Sequence, residues 1–202
     1  MINYIPLTFF GLIAVVGLAF FVHGFMNRQK IFADFQELAK KFDGRAGRDN
    51  IISYPWFEGH VDGRDLRVFF HTSENHTVSV LNLVSELGIA SDAHFVLLQK
   101  DGFRKPKPED LVKLQAEVGP ALDIPVPFDV RSPNADETRR VLSMPPVTNA
   151  LGEMTPFNQI LVWDGRILFS KQFDGVQETN PVAFQKTLSN MVGLCHAIES
   201  GI

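Results

Sequence analysis

Four histidines could supply metal-binding chemistry in the middle of this chain of 202 residues. His60, His71, His76 and His94 fall on or beside segments that we expect to be strands, so two or three of them could converge as metal ligands. Their spacing matches no metal-binding signature, and no cysteine lies near them. Exposed or hydrogen-bonded strand histidines are therefore the favoured interpretation.

Nucleophilic and acid–base arrangements are equally weak. His196 follows Cys195, the only cysteine, but consecutive residues of a helix do not face each other, so we expect no Cys-His pair. The sequence has no Gly-x-Ser-x-Gly, His-Glu-x-x-His or Gly-x-x-x-x-Gly-Lys motif. The carboxylates that could pair lie at hairpin turns or their ends, where turn geometry alone favours Asp: Asp62 with Asp65, and Asp164 with Asp174. We assign no catalytic residue and expect that the protein is not an enzyme.

The N-terminal segment from Ile5 to Met26 contains no Asp, Glu, Lys or Arg. As a helix it would be about 33 Å long, enough for the ~30 Å hydrocarbon core of a bilayer. A cleaved signal peptide would need a basic start, a shorter apolar run and small residues at the cleavage site. Met1 to Tyr4 carry no basic residue, and Phe20-Phe21-Val22 stands where small residues would be required. The segment therefore predicts an uncleaved transmembrane anchor.

His23 is the one ionisable side chain within this run, and such a group is a functional hypothesis by default. Ala19 precedes it by about one turn. The five-residue pattern Ala-x-x-x-His is similar to the one with which light-harvesting polypeptides bind the magnesium of bacteriochlorophyll, where the alanine makes room for the flat ring. The resemblance implies that His23 is a tetrapyrrole ligand and that bacteriochlorophyll binds near the membrane helix. The alternative, which we favour, is that His23 lies close to the interface and reaches headgroups or water.

The same helix carries a ridge of small residues, Gly11, Ala14 and Gly17, spaced by three. Small residues let neighbouring membrane helices approach closely, so the ridge predicts contact with integral membrane protein subunits.

Charge distribution predicts the orientation of the anchor. No Lys or Arg precedes the run, and six follow it closely: Arg28, Lys30, Lys40, Lys41, Arg45 and Arg48. By the positive-inside rule, the N-terminus should lie outside the cytoplasmic membrane and residues 27–202 in the cytoplasm. The net charge of −4 and the pI near 5.8 argue against nucleic acid as a partner.

An amphipathic helix should continue beyond the membrane. Ile31, Phe35, Leu38 and Phe42 form one apolar stripe, and Gly44 provides a stop. We therefore divide the chain into an anchor (1–26), a juxtamembrane stalk helix (27–44) and a cytoplasmic domain (45–202).

Strands and helices both occur in this domain. Asp62-Gly63 and Asp164-Gly165 predict tight hairpins. The expected strands are Ile52–Val61, Arg64–His71, Thr77–Leu87, His94–Gln99, Val126–Arg131, Gln159–Trp163 and Arg166–Phe173, of which the first four should form a meander. We expect one helix from Pro106 through Val118 and a second that begins at Asn134 and is ended or kinked by Pro145-Pro146. A third should run from Asn180-Pro181 to the C-terminus, and Gly119–Pro127 should be a linker. The fold class is α+β, an antiparallel sheet of six or seven strands with helices packed mainly on one face.

Three functions are compatible with these patterns. The first is a non-catalytic accessory or structural subunit of a larger membrane protein complex, such as a photosynthetic or respiratory assembly, whose soluble domain braces the cytoplasmic side. The second is a membrane-tethered ligand-binding or sensor domain, which would need an apolar cavity between sheet and helices. The third, an enzyme, would need converging polar groups with perturbed pKa values. The absence of motifs, the phenylalanine-rich span and the ridge favour the first.

Overall fold

A single uninterrupted helix, α1, runs from Ile5 to Lys41 in the computed structural model, which describes residues 5–75, 78–100 and 118–201. The helix ends where Asp43 adopts a positive φ of 46° and the Gly44 N–H donates to the carbonyl of Ala39 at 2.8 Å. A Cβ at Gly44 would lie 1.9 Å from the Glu58 carbonyl oxygen, so only glycine permits this close approach. The predicted continuation of the N-terminal helix beyond the apolar run is confirmed, and the helix ends three residues before Gly44.

In the described residues, nine strands form one antiparallel sheet in the order β1-β2-β3-β4-β9-β8-β5-β7-β6. Their bounds are β1 Arg45–Gly47, β2 Trp56–Val61, β3 Arg64–Asn75, β4 Val78–Gly88, β5 Phe95–Gln99, β6 Ala121–Leu122, β7 Phe128–Arg131, β8 Gln159–Trp163 and β9 Arg166–Gln172. Both Asp-Gly turns have positive φ at both residues, as a type I′ hairpin requires: Asp62 (53°), Gly63 (73°), Asp164 (49°) and Gly165 (71°).

The predicted four-stranded meander is wrong in one respect. β2, β3 and β4 are consecutive neighbours, but β5 lies between β8 and β7, and the β8–β9 hairpin separates it from β4. Two short strands, β1 and β6, were not expected, and β6 lies within the segment Gly119–Pro127 that was interpreted as a linker. The strand predicted over Ile52–Val61 begins only at Trp56, because residues 49–53 form turns.

Over residues 118–201 the structure has three further helices of eight residues or more: α2 Ala135–Leu142, α3 Pro145–Gly152 and α4 Pro181–Glu199. A 3₁₀ turn at Val176–Thr179 precedes α4. Asn134 and Asn180 cap α2 and α4 as predicted, each side-chain oxygen accepting from a backbone N–H of the first turn. Pro145-Pro146 begins α3, because a proline at the first helical position lacks only an N–H that would be unpaired anyway. The helix predicted from Pro106 lies outside the described residues, apart from its last residue, Val118.

One hydrophobic core joins one face of the sheet to the helices. Alternate strand residues such as Phe57, Val68 and Phe169 are fully buried, together with the α1 residues Ile31 and Phe35. Leu38 of α1 and residues of α2, α3 and α4 belong to the same core. The predicted α+β fold is therefore confirmed, and the second half of α1 is part of the domain that it carries.

Candidate functional site

The first half of α1 exposes apolar side chains that a soluble helix would bury. Leu12, Val15, Leu18, Phe20 and Phe21 are each more than 60% exposed. Among the described residues, α1 is the one helix long and apolar enough to cross a membrane. This surface is the first candidate functional site.

The small-residue ridge lies on this exposed half. Ala14 and Gly17 are exposed, and a Cβ at Gly17 would meet no atom within 4 Å. Gly11 belongs to the same helix. At Ala14 and Gly17 the ridge is therefore open to a neighbouring helix, and the role of the ridge in helix packing stays a prediction.

His23 is exposed on α1, where its Nε2 lies 3.1 Å from the side-chain nitrogen of Asn27, one turn onward. A ring nitrogen must give up this hydrogen bond before it can bind a metal through that atom. Tetrapyrrole binding at His23 therefore stays a prediction, and so does the alternative that the imidazole reaches headgroups or water.

The strand histidines are placed far apart. His60 pairs with Asp65 at 3.0 Å, and His94 stacks on Trp163 with ring centroids 4.4 Å apart. Five strand spacings, about 24 Å, separate the strands near which these two histidines lie. His71 is exposed on β3, and His76 lies outside the described residues. Within the part of the chain that is described, no three His, Cys, Asp or Glu side chains converge as metal ligands.

Cys195 and His196 point in different directions from α4. Cys195 is fully buried, and burial raises the pKa of its thiol to about 12, so that the thiolate is not populated at neutral pH. His196 is exposed and hydrogen-bonds the carboxylate of Asp62 in the β2–β3 turn. This arrangement cannot activate the cysteine as a nucleophile.

A part-buried charge pair holds α4 against the same end of the sheet. Arg64 makes a bidentate ion pair with Glu199, and the Glu199 carboxylate also accepts from the Ala90 N–H at 2.7 Å. Arg64 donates to the Gly88 carbonyl as well, at 3.1 Å. The hydrogen bond from Arg64 is the main reason that the pKa of Glu199 is lowered. Each charge has a partner, so the pair is explained as a structural clamp.

An open polar groove of about 690 Å³ lies on the sheet face opposite the core. Arg45, Glu58, Arg67 and Glu86 occupy directly facing positions on four successive strands. Glu58 pairs with Arg45 at 3.0 Å and with Arg67 at 3.6 Å, while Glu86 pairs with Arg166. These alternating charges largely neutralise one another, which favours a solvated sheet face over a site for one charged ligand. The sequence alone does not reveal this pattern, because it depends on the register of four strands.

Comparison with family models and with curated protein sequences gives no match. A solved structure does resemble the chain: the crystal structure of the mycobacterial trehalose monomycolate transport factor A, TtfA. The TM-score is 0.55 at 14% sequence identity, and the alignment covers 85% of this chain and 96% of that one. At this identity the similarity shows a shared fold.

Proposed function

We propose that this protein is a membrane-anchored, non-catalytic accessory subunit of a membrane protein complex that carries out transport. The observation that carries the proposal is the division of α1 into two halves. The first half exposes an apolar surface from Leu12 to Met26, and the second half is built into the core of the sheet domain. A helix of this kind fixes the domain to whatever its first half contacts within the bilayer.

Similarity of fold to a protein named as a transport factor directs the proposal toward transport. It replaces the photosynthetic or respiratory assembly suggested by the surroundings of His23, for which the fold gives no support. The sensor alternative gains nothing from the groove, because the groove is open, polar and on the side of the sheet away from the helices.

The test is co-purification of the full chain from gently solubilised membranes, followed by native gel electrophoresis and mass identification. Gly17→Leu should release the partner subunits, because a larger side chain on the ridge prevents close helix approach. Insertion and folding should be unaffected, since a Cβ at position 17 meets no atom of the chain within 4 Å.

Val16→Leu is the matched control, since Val16 is 45% exposed and lies about 200° around the helix from Ala14, the middle residue of the ridge. It should retain the partners. Migration of the wild-type chain as a lone small species would contradict the accessory-subunit proposal. Retention of partners by Gly17→Leu would show that the ridge is not the contact surface.

A further inference from the structure

The loop between β1 and β2 presents two large apolar side chains to solvent. Ile51 is 59% and Ile52 is 55% exposed. The side-chain oxygen of Asn50 accepts hydrogen bonds from the N–H groups of Ile52 and Ser53, at 3.0 and 2.9 Å, and so holds the loop in a tight turn. The two isoleucines thus lie on an ordered turn, although neither is used in the core.

Contacts along α1 locate this loop relative to the membrane anchor. His60 bonds the backbone of Phe42, the Phe57 ring lies 5.1 Å from that of Phe35, and Tyr54 lies under Arg28. From one of these contacts to the next, α1 advances by seven residues, a distance of about 10.5 Å along the helix. Over the same interval the facing chain advances by three extended residues, a distance of about 10 Å. The chain from His60 back to Tyr54 therefore runs alongside α1 toward the membrane.

The turn that bears the isoleucines lies between Arg48 and Tyr54, at the membrane end of this stretch of chain. Both ends of the turn contact α1: the Arg48 guanidinium lies 4.8 Å from the centre of the Phe32 ring, and the Arg28 guanidinium lies 4.9 Å from the centre of the Tyr54 ring. Arg28 is only two residues, about 3 Å along the helix, beyond Met26, where the apolar run ends. The isoleucine pair is therefore level with the expected bilayer interface.

Two arginines beside the loop, Arg28 and Arg48, are half-buried, so part of each side chain reaches the surface at this level. Arg28 Nε and Arg48 Nη1 are buried without a hydrogen-bond partner in the described residues, so a headgroup would bind the other guanidinium nitrogens. A phosphate-bearing headgroup would provide acceptors for cations at this level, while the acyl region would take up the isoleucines.

We propose that the β1–β2 loop is a second membrane contact, in which Ile51 and Ile52 insert into the interface of an anionic bilayer and Arg28 and Arg48 lie at the headgroups. The contact fixes the tilt of the whole molecule relative to the bilayer surface, which a single membrane helix leaves free. It requires the anchor but does not depend on any partner complex.

The experiment uses the full chain with Cys195→Ala and a single Ile52→Cys, labelled with an environment-sensitive fluorophore, in protein-free nanodiscs containing phosphatidylglycerol. Emission should shift to the blue, and nitroxides on the lipid acyl chains should quench it at least about twofold more than a label at Asp65→Cys. Asp65 pairs in register with His60, and His60 contacts Phe42 of the helix end. Phe42 is 14 helical residues beyond Arg28, so Asp65 lies about 21 Å further from the membrane than the loop does.

Two variants test the chemistry of the contact. Ile51→Asp should abolish the excess quenching of the label at position 52. Arg48→Gln should make that quenching less dependent on the phosphatidylglycerol content of the nanodisc. Equal, water-like emission from positions 52 and 65 would overturn the proposal, even if partner binding behaved as proposed above.

Discussion

Glu199 is the residue on which the attachment of α4 to the β2–β3 hairpin depends. Glu199→Gln leaves the Arg64 guanidinium, 11% exposed, without its counter-charge. We expect the free energy of unfolding to fall by about 1–2 kcal/mol, between the values for exposed and fully buried ion pairs. Thermal or urea unfolding in detergent measures it. Glu58→Gln, on the open sheet face, is the control and should cost less than about 0.5 kcal/mol.

The same pair makes stability depend on pH. The hydrogen bond from Arg64 holds the pKa of Glu199 below its ordinary value of 4.5 in the folded protein. Its stabilisation is therefore complete above pH 4.5 and is lost as the pH falls through the lower, folded-state pKa. Unfolding midpoints measured from pH 7 downward should converge for wild type and Glu199→Gln at acid pH. A constant difference across this range would show that the pair does not act through its charge.

Phe35 shows how completely the stalk belongs to the domain. It is fully buried, with its ring 5.1 Å from that of Phe57 and 6.1 Å from that of Phe70. We expect Phe35→Ala to destabilise the sheet domain by about 3–5 kcal/mol through lost burial and a residual cavity. Phe20→Ala makes the same chemical change at a position 74% exposed, and should leave the unfolding midpoint in detergent unchanged. Equal effects of the two substitutions would argue against this division of α1.

The sequence allowed prediction of those elements whose signals are local. The apolar stripe through Ile31 and Leu38, both Asp-Gly turns and the Asn180 cap each act within a few residues, and each is found in the structure. The place of β5 could not be predicted, because it depends on the β8–β9 hairpin, formed some sixty residues later, pairing with β4.

The candidate sites were predicted less well than the fold. The charge ladder from Arg45 to Glu86 depends on the register of four strands, and the level of Ile51 depends on how β2 runs along α1. Neither relation is visible in a single segment. The exposed apolar face of α1 was predictable, because it follows from composition alone.

The orientation of the molecule rests on the basic residues that follow the span. We expect residues 27–202 in the cytoplasm, as the asymmetry of Lys and Arg predicts. Single cysteines at Asn3 and Ser200, in a Cys195→Ala background, test this with a membrane-impermeant thiol reagent on intact cells. The reagent should modify Asn3→Cys and leave Ser200→Cys unmodified until the membrane is permeabilised. Modification of Ser200→Cys in sealed cells would reverse the topology.

Because α1 is unbroken, a change in the tilt of its membrane-spanning half is transmitted directly to the sheet domain. About 22 Å of helix separates Met26 from Lys41, and its far half is embedded in the sheet domain. Membrane helices change their tilt to accommodate a thinner or thicker bilayer. A change of about 10° would move the Lys41 end of the helix by about 4 Å relative to Met26. Because no glycine or proline hinge lies between residues 25 and 42, the domain must follow that movement as a rigid body.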